Sequence, residues 1–247
     1  MVTQSRALPI PLLLTRPEAQ GADFAHLLTA RFGDAVTIIK TPLLAPRFFA
    51  PALPPGPFAA LILTSQTGVE GYMRLGQTEV LPKDVFCVGD RTASAARDAG
   101  LRPLAIAPDA AQLILRIKAL RPKGPLLHLR GREIRGNIRN LLHSAGIDTV
   151  DAVIYAQDPL PLAHPAVAAL LSQTPLLVPL FSPRTAALFA IELARIHAVS
   201  PLFIAAMSGE VALEVAALGA QVDVANRPDA AAMADSVAVL LAKVRRA

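Results

Sequence analysis

The chain has 247 residues with 24 Lys and Arg against 19 Asp and Glu, a formal net charge of +5, and this length fits one or two domains. A single cysteine excludes a disulfide framework and any site built from several thiolates, as is typical of a reducing, cytoplasmic setting. The mild, dispersed charge permits an anionic ligand, but with 4% aromatic residues and no basic run we expect no nucleic-acid partner.

Short apolar runs alternate with amphipathic stretches along the chain. Most of the runs are continuously apolar, which is typical of parallel strands covered on both faces. The predicted strands are Pro11–Thr15, Val36–Ile39, Ala59–Thr64, Val85–Val88, Pro103–Ala107, Pro125–Leu129, Ala152–Tyr155, Leu176–Phe181, Leu202–Ala206 and Gln221–Ala225. Helical spacing of apolar residues predicts helices over Asp109–Leu120, capped by Asp109, and over Arg132–Ala145, ended by Gly146. This alternation predicts an α/β fold with parallel sheets.

Hydrophobic residues make up 53% of the chain, which raises the question of a membrane protein. The longest charge-free windows, 48–69 and 159–183, are interrupted by prolines and do not fit a spanning helix. The apolar start of the chain contains Pro9 and Pro11 and is interpreted as a first strand rather than a signal peptide. We therefore expect a cytoplasmic protein without a membrane partner.

The sequence contains an internal repeat. Residues 85–101 resemble 204–220 at an offset of 119, which pairs Gly89 with Ser208. Residues 62–72 match 179–189 at an offset of 117, pairing Ser65 with Ser182, and a third unit follows both copies in the same order. The chain is therefore predicted to be two copies of one parallel-sheet α/β module.

Two extended, proline-containing segments, 40–57 and 155–165, separate the copies. The first strand–helix–strand unit precedes the first copy, and we infer that it completes the second. Domain one is thus predicted to be 1–41 plus 158–247, and domain two 44–155, with 40–44 and 155–159 as two crossover strands. A ligand cleft between two such lobes is the expected arrangement.

Six junctions combine a strand end, a small hydroxyl residue or glycine, and a predicted helix start. They are Thr15-Arg16-Pro17, Thr64-Ser65-Gln66-Thr67, Gly89-Asp90-Arg91-Thr92, Leu129-Arg130-Gly131-Arg132, Ser182-Pro183-Arg184-Thr185 and Ser208-Gly209-Glu210. In parallel sheets such junctions lie at the ligand-binding edge, where helix amides and hydroxyls receive anions. Each one alone is also explained as an ordinary N-cap.

The arginines can be ligand contacts or solvent-exposed surface residues, and the histidines and the cysteine show no pattern of a metal or nucleophile site. Arg16 and Arg130 close strand ends and are ligand contacts or surface residues, whereas Arg132, Arg135 and Arg139 follow helical spacing and fit a solvated face. The histidines show no metal spacing, and we interpret each as a surface or locally hydrogen-bonded residue; they are His26, His128, His143, His164 and His197. Cys87, inside an apolar strand, is predicted to be a buried core thiol.

At these junctions the sequence resembles the uroporphyrinogen-III synthase family, over essentially the whole chain. The resemblance is carried, in order, by LLLTRP, ILTSQTGV, VFCVGDRTASAARDAG, LLHLRGREIRGNI, VIYAQDP, LFSPRTA and ANRPDAAAMADSV. It implies two α/β domains joined by a two-stranded ladder, with an active-site cleft and no metal or cofactor. The implied substrate is hydroxymethylbilane, a linear tetrapyrrole with eight carboxylates, which such an enzyme cyclises with inversion of ring D and loss of water.

The resemblance also implies roles for individual residues. Tyr155 matches a family tyrosine near the ladder that assists departure of the substrate hydroxyl; the other interpretation is a packing aromatic. Tyr72 is predicted to lie on a helix surface. The implied substrate-binding residues are Arg16, Thr64, Ser65, Gln66, Gly89, Thr92, Arg130, Gly131, Ser182, Pro183, Ser208, Gly209 and Val211. Ser208 and Val211 stand where the family has Gly and Thr, which favours backbone amides as the contacts in that loop.

For partners, the resemblance implies the small-molecule substrate and leaves open a contact with the enzyme that forms hydroxymethylbilane. We expect a monomer. A different class of function also fits the strand-end junctions, namely a non-catalytic two-lobed binding or sensor module for a small anionic metabolite. That module would need no Tyr155 and would release no water from its ligand.

Overall fold

The computed structural model describes residues 8–76, 78–133 and 136–246, with eleven strands and nine α-helices in these ranges. The strands are β1 Ile10–Leu14, β2 Val36–Lys40, β3 Leu44–Phe48, β4 Ala60–Leu63, β5 Asp84–Val88, β6 Arg102–Ala107, β7 Leu126–Gly131, β8 Thr149–Pro159, β9 Leu176–Leu180, β10 Leu202–Ala206 and β11 Gln221–Val224. The helices are α1 Glu18–Phe32, α2 Gln66–Met73, α3 Asp90–Asp98, α4 Ala110–Leu120, α5 Ile138–His143, α6 His164–Leu170, α7 Pro183–Ile196, α8 Gly209–Glu214 and α9 Ala230–Val244. In these ranges, none of the helices has the length and apolar character needed to cross a bilayer.

The chain divides into two compact units. Unit 1 comprises Met1–Ala45 and Pro159–Ala247, and unit 2 comprises Pro46–Asp158. Each unit is built on its own sheet, and the α/β fold class with parallel sheets predicted from the sequence is confirmed.

The sheet of unit 1 has the strand order β11-β10-β9-β1-β2, and all of its paired strands are parallel. From β1 the chain proceeds outward to β2, whereas from β9 it proceeds in the opposite direction to β10 and β11. The direction therefore reverses between β1 and β9. Helices α1 and α9 pack on one face of the sheet, and α6, α7 and α8 pack on the other.

The sheet of unit 2 has the order β3-β8-β7-β4-β5-β6. Strands β8 to β6 are parallel. Strand β3 runs antiparallel to β8, because the N–H of Phe49 donates to the oxygen of Ile154 and the N–H of Leu160 to that of Leu43. Helices α2 and α3 cover one face, α4 and α5 the other, and the order reverses between β4 and β7.

The two sheets repeat one topology. The order β8-β7-β4-β5-β6 in unit 2 corresponds strand for strand to β2-β1-β9-β10-β11 in unit 1. All ten predicted strands are present, because continuously apolar runs identify strands that are covered on both faces. The strand β3, Leu44–Phe48, lies inside the extended segment 40–57 and starts at the last residue of the crossover strand predicted over 40–44.

The prediction around β7 was wrong in one respect. The segment Leu129-Arg130-Gly131-Arg132 is not a helix start, since β7 continues through Gly131 and the amide of Arg132 donates to the oxygen of Tyr155. The helix predicted over Arg132–Ala145 begins only at Ile138, where the side chain of Asn137 caps it. Arg135, assigned to that helix, lies outside the described residues.

Candidate active site

A cavity of about 280 Å³ lies at the reversal point of the unit 2 sheet. Its polar lining comes from the end of β4, from β7 with the loop behind it, and from β8: Thr64, His128, Arg130, Gly131, Glu133 and Tyr155. Because α2 and α5 leave β4 and β7 on opposite faces, the strand ends between them stay open. Such reversal points are where open α/β sheets bind ligands.

Tyr155 is held at this cavity by a hydrogen bond. Its Oη lies 2.9 Å from the Oγ of Ser65. Ser65 is the N-cap of α2, and its Oγ accepts the N–H of Gly68 at 3.0 Å. The ring of Phe48 lies beside the phenol at 6.4 Å between centroids. The phenol hydroxyl is therefore fixed by a side chain that the helix itself positions.

Gly131 makes room for the ring of Tyr155. A Cβ built on Gly131 would lie 2.8 Å from Cε2 and Cζ of the tyrosine and 3.0 Å from its Oη. Real side-chain carbons do not approach this closely, so any larger residue would displace the ring. Gly131, predicted as a substrate contact, thus has a steric role in this structure: it lets the ring cross the backbone of β7.

A charged network lies beside the tyrosine, between β7 and β8. The Nε of Arg130 donates to Oδ2 of Asp151 at 2.9 Å, and Nδ1 of His128 lies 3.1 Å from Oδ1 of the same carboxylate. Arg130 also donates from Nη1 to the oxygen of Gly131 at 2.9 Å. Burial alone would raise the pKa of Asp151, but the contacts of its carboxylate with His128 and Arg130 outweigh burial and lower the pKa.

Sequence reasoning missed His128 and Asp151. His128 is 5% exposed, and while Nδ1 meets Asp151, its Nε2 is buried without a hydrogen-bond partner among the described residues. The available signal was the alternation in β7, where His128 and Arg130 share one face of an otherwise apolar strand. Asp151 pairs directly with His128 in the β7–β8 register.

The other predicted residues of unit 2 lie at neighbouring strand ends. Thr64 is half-buried and lines the cavity, and Gln66 is the exposed first residue of α2. Gly89 caps α3 at a φ of +80°, a conformation that favours glycine, and lines a separate cavity of about 410 Å³. Thr92 is only 5% exposed. The structure therefore places Thr64 in the lining of the cavity, whereas Gly89 and Thr92 are not among its lining residues.

In unit 1, Arg16, Ser182 and Ser208 follow the adjacent parallel strands β1, β9 and β10, at one edge of that sheet. The guanidinium of Arg16 lies 3.9 Å from the ring centre of Phe181, beside the reversal point between β1 and β9. The Oγ of Ser182 caps α7 by accepting the N–H of Thr185 at 3.2 Å. Arg16 and Ser182 thus occupy in unit 1 the kind of position that the cavity occupies in unit 2.

The remaining predicted residues of unit 1 belong to helix starts. Pro183 and Gly209 are the first residues of α7 and α8. Val211 is 1% exposed, and its N–H donates to the Oγ of Ser208 at 3.4 Å. The amide predicted as a ligand contact at Val211 is therefore already used by the cap of α8.

Two buried residues test further predictions. Cys87 is fully buried, as predicted, and burial raises the pKa of its thiol to about 11. Tyr72 was wrongly assigned to a helix surface: it is 1% exposed, within the apolar cluster under α2 and α3. Its hydroxyl accepts from Nζ of Lys83 at 3.3 Å, which lets the polar tip of a core aromatic stay hydrogen-bonded.

Across residues 8–76, 78–133 and 136–246, no three His, Cys, Asp or Glu side chains are grouped to hold a metal ion.

Two solved bacterial structures share this fold. A uroporphyrinogen-III synthetase from Helicobacter pylori 26695 aligns with a TM-score of 0.64 and 18% identity, covering 94% of this chain and 99% of that one. A mutant uroporphyrinogen III synthase from the extremely thermophilic bacterium Thermus thermophilus aligns with a TM-score of 0.50 and 16% identity, covering 95% and 99%. At these identities the likeness establishes the fold.

Sequence comparison supplies the family. A search among curated protein sequences finds no significant relative. The family model described as uroporphyrinogen-III synthase HemD matches residues 35–235, well over half of the chain. The chain therefore belongs to the uroporphyrinogen-III synthase family.

Proposed function

We propose that this chain cyclises hydroxymethylbilane to uroporphyrinogen III, with inversion of ring D and loss of water, and that Tyr155 is its proton donor. The family match supports this enzyme, a cyclising hydro-lyase of haem biosynthesis, over the alternative of a non-catalytic binding module. The observation that carries the residue assignment is the fixed phenol of Tyr155 at the reversal-point cavity of unit 2.

The first chemical step is departure of the substrate hydroxyl. Hydroxide is a poor leaving group, so a proton delivered as the C–O bond breaks lowers the barrier. Tyr155 is held by Ser65, whose Oγ also accepts from the amide of Gly68. When the phenol gives up its proton, the Ser65 hydroxyl can donate to the phenolate oxygen and stabilise the charge that develops there. A hydroxyl on a helix N-cap is already oriented for this task.

The second requirement is to hold a substrate with many carboxylates. In unit 2, the charge of Arg130, the hydroxyl of Thr64 and the open end of α2 at Gln66 suit this role. In unit 1, Arg16 and the N-terminus of α7 at Ser182 and Pro183 offer the same chemistry. We propose these residues as carboxylate contacts, with the backbone at Gly89, Ser208 and Gly209 as further ones.

We propose that the protein acts as a monomer in the cytoplasm, without nucleic-acid, membrane or cofactor partners. A lone, buried cysteine suits a reducing compartment. A contact with the enzyme that forms hydroxymethylbilane would shorten the exposure of an unstable substrate to solvent.

The chain has two tyrosines, which supply a matched pair of variants for testing the proton donor. Tyr155→Phe removes the hydroxyl at the cavity, and we expect kcat to fall on the order of 100-fold or more with little change in KM, since the lost group acts on a bond-breaking step. Tyr72→Phe removes a hydroxyl whose hydrogen-bond partner among the described residues is Lys83, and kcat should stay at the wild-type value. Steady-state formation of uroporphyrinogen III measures both. Equal kcat values for wild type and Tyr155→Phe would make Tyr155 a packing residue.

A further inference from the structure

His128 is a buried polar residue, and the mechanism proposed for Tyr155 does not use it. It lines the same cavity as Tyr155 and is 5% exposed. One ring nitrogen, Nδ1, is 3.1 Å from Asp151, whereas Nε2 has no hydrogen-bond partner among the described residues. Buried polar atoms of side chains are nearly always hydrogen-bonded in folded proteins. A buried Nε2 without a partner, on a residue that lines a ligand cavity, therefore points to a role toward the ligand.

The partner of Nδ1 decides what Nε2 can do. Arg130 donates to one oxygen of Asp151 and His128 meets the other, and the lowered pKa of Asp151 keeps this carboxylate ionised at neutral pH. An ionised carboxylate only accepts hydrogen bonds, so Nδ1 must carry the proton. In the neutral ring Nε2 then bears a lone pair. A carboxylate that orients an imidazole in this way prepares the far nitrogen to accept a proton.

We propose that His128 is the catalytic base that accepts the proton released by the substrate when the macrocycle closes, with Asp151 as its positioning residue; this assignment rests on the function proposed above. The C–O bond breaks with its electron pair, and the oxygen takes one proton and leaves as water. The first new C–C bond forms from the π electrons of ring D at its substituted α-carbon, which has no proton to lose. The bond from this carbon to the methylene of ring C then breaks, which restores ring D and leaves the positive charge on ring C. The freed methylene bonds to the unsubstituted α-carbon of ring D, and this carbon loses its proton to Nε2, so that the C–H pair restores the aromatic pyrrole. One proton is taken up and one is released, as net loss of water requires.

The charges around His128 are compatible with a neutral ring that gains a proton during the reaction. Asp151 faces it from β8, and Arg130 binds the second oxygen of that carboxylate. Glu133 and Tyr155 line the same cavity. Asp151 thus stabilises the imidazolium once it forms, while Arg130 prevents Asp151 from taking the proton itself.

His128→Asn separates catalysis from packing. The shorter amide can still donate to Asp151 in place of Nδ1, but it places nothing at Nε2. We expect kcat to fall at least tenfold with KM within twofold of wild type. A kcat within twofold of wild type would overturn the proposal.

Imidazole rescue provides a second readout that a structural role would not produce. His128→Gly leaves space for added imidazole, which should raise its rate of uroporphyrinogen III formation at least fivefold; no increase would overturn the proposal. His143→Asn makes the same chemical change as His128→Asn at an exposed position of α5 and should behave as wild type. Wild-type protein is assayed first, since absence of isomer III there refutes the proposed function itself rather than the role of His128.

Discussion

At the scale of single residues, the site depends on how closely Gly131 and Tyr155 approach. The tyrosine was predictable from sequence, because it stands in a segment that resembles the family. The function of Gly131 was not, because a glycine in a strand-end motif looks like an element of a ligand loop. Only the register shift between β7 and β8 at Arg130 and Gly131 brings the tyrosine ring over this backbone.

Gly131→Ala should reduce activity through Tyr155. Its added methyl would meet the ring at 2.8 Å, and overpacking of this kind costs about 1–3 kcal/mol. We expect a lower melting temperature and a kcat reduced about as much as in Tyr155→Phe. Because both changes act through one hydroxyl, adding Gly131→Ala to Tyr155→Phe should lower kcat little further. Fully multiplicative losses in the double variant would disprove this coupling.

Asp151 gives the stability of unit 2 a pH dependence of known sign. Its pKa is lower in the folded protein than the usual value of about 3.9. An aspartate whose pKa is lower in the folded than in the unfolded chain stabilises the fold at pH values above the unfolded pKa. This stabilisation is lost as the pH falls through the folded pKa. We expect the difference in free energy of unfolding between wild type and Asp151→Asn to shrink below about pH 4. Denaturant unfolding at several pH values measures it, and a difference that stays constant down to about pH 2, well below the usual pKa of an aspartate, would contradict the assignment.

At the scale of elements, the reversal of strand order places the site. Strands β4 and β7 are neighbours, but the helices that follow them, α2 and α5, lie on opposite faces of the sheet. Apolar runs in the sequence identified both strands, whereas their spatial order depends on pairings that no single run encodes. The predicted start of α5 was wrong for a related reason. The helical spacing of apolar residues begins at Arg132 in the sequence, but in the structure the first part of this segment is a loop. The cap at Asn137 sets the actual start.

The repeated N-caps Ser65 and Ser182 make a matched pair. Each accepts the N–H of the residue three positions on, in α2 and α7 respectively, so Ser65→Ala and Ser182→Ala should each lower the free energy of unfolding by about 1 kcal/mol. Ser65 also holds Tyr155 at 2.9 Å. We therefore expect Ser65→Ala to lower kcat in the wild-type background but not in Tyr155→Phe.

Thermal or denaturant unfolding and steady-state kinetics of the serine variants separate these two effects. A Ser65→Ala protein that loses stability but keeps the wild-type kcat would show that Ser65 is only a helix cap. An equal further loss of kcat on adding Ser65→Ala to Tyr155→Phe would show that Ser65 acts independently of the tyrosine.

At the scale of the whole molecule, the sequence predicted the α/β fold, the repeat and the parallel sheets, because apolar runs and repeated motifs extend along the entire chain. It did not identify the His128–Asp151 pair. These residues are 23 positions apart and meet only because β7 and β8 are adjacent in register. A lone histidine in an apolar strand carries no spacing signal, so its chemistry became visible only through its partner and its buried second nitrogen.

The most direct test of the account is the isomer of the product. Purified wild-type protein is incubated with freshly prepared hydroxymethylbilane, and the porphyrins are separated after oxidation. The account predicts isomer III well above the isomer I that forms spontaneously. Isomer I alone, at the rate of the protein-free control, would contradict it and leave the chain as a protein that binds anions without cyclising this substrate.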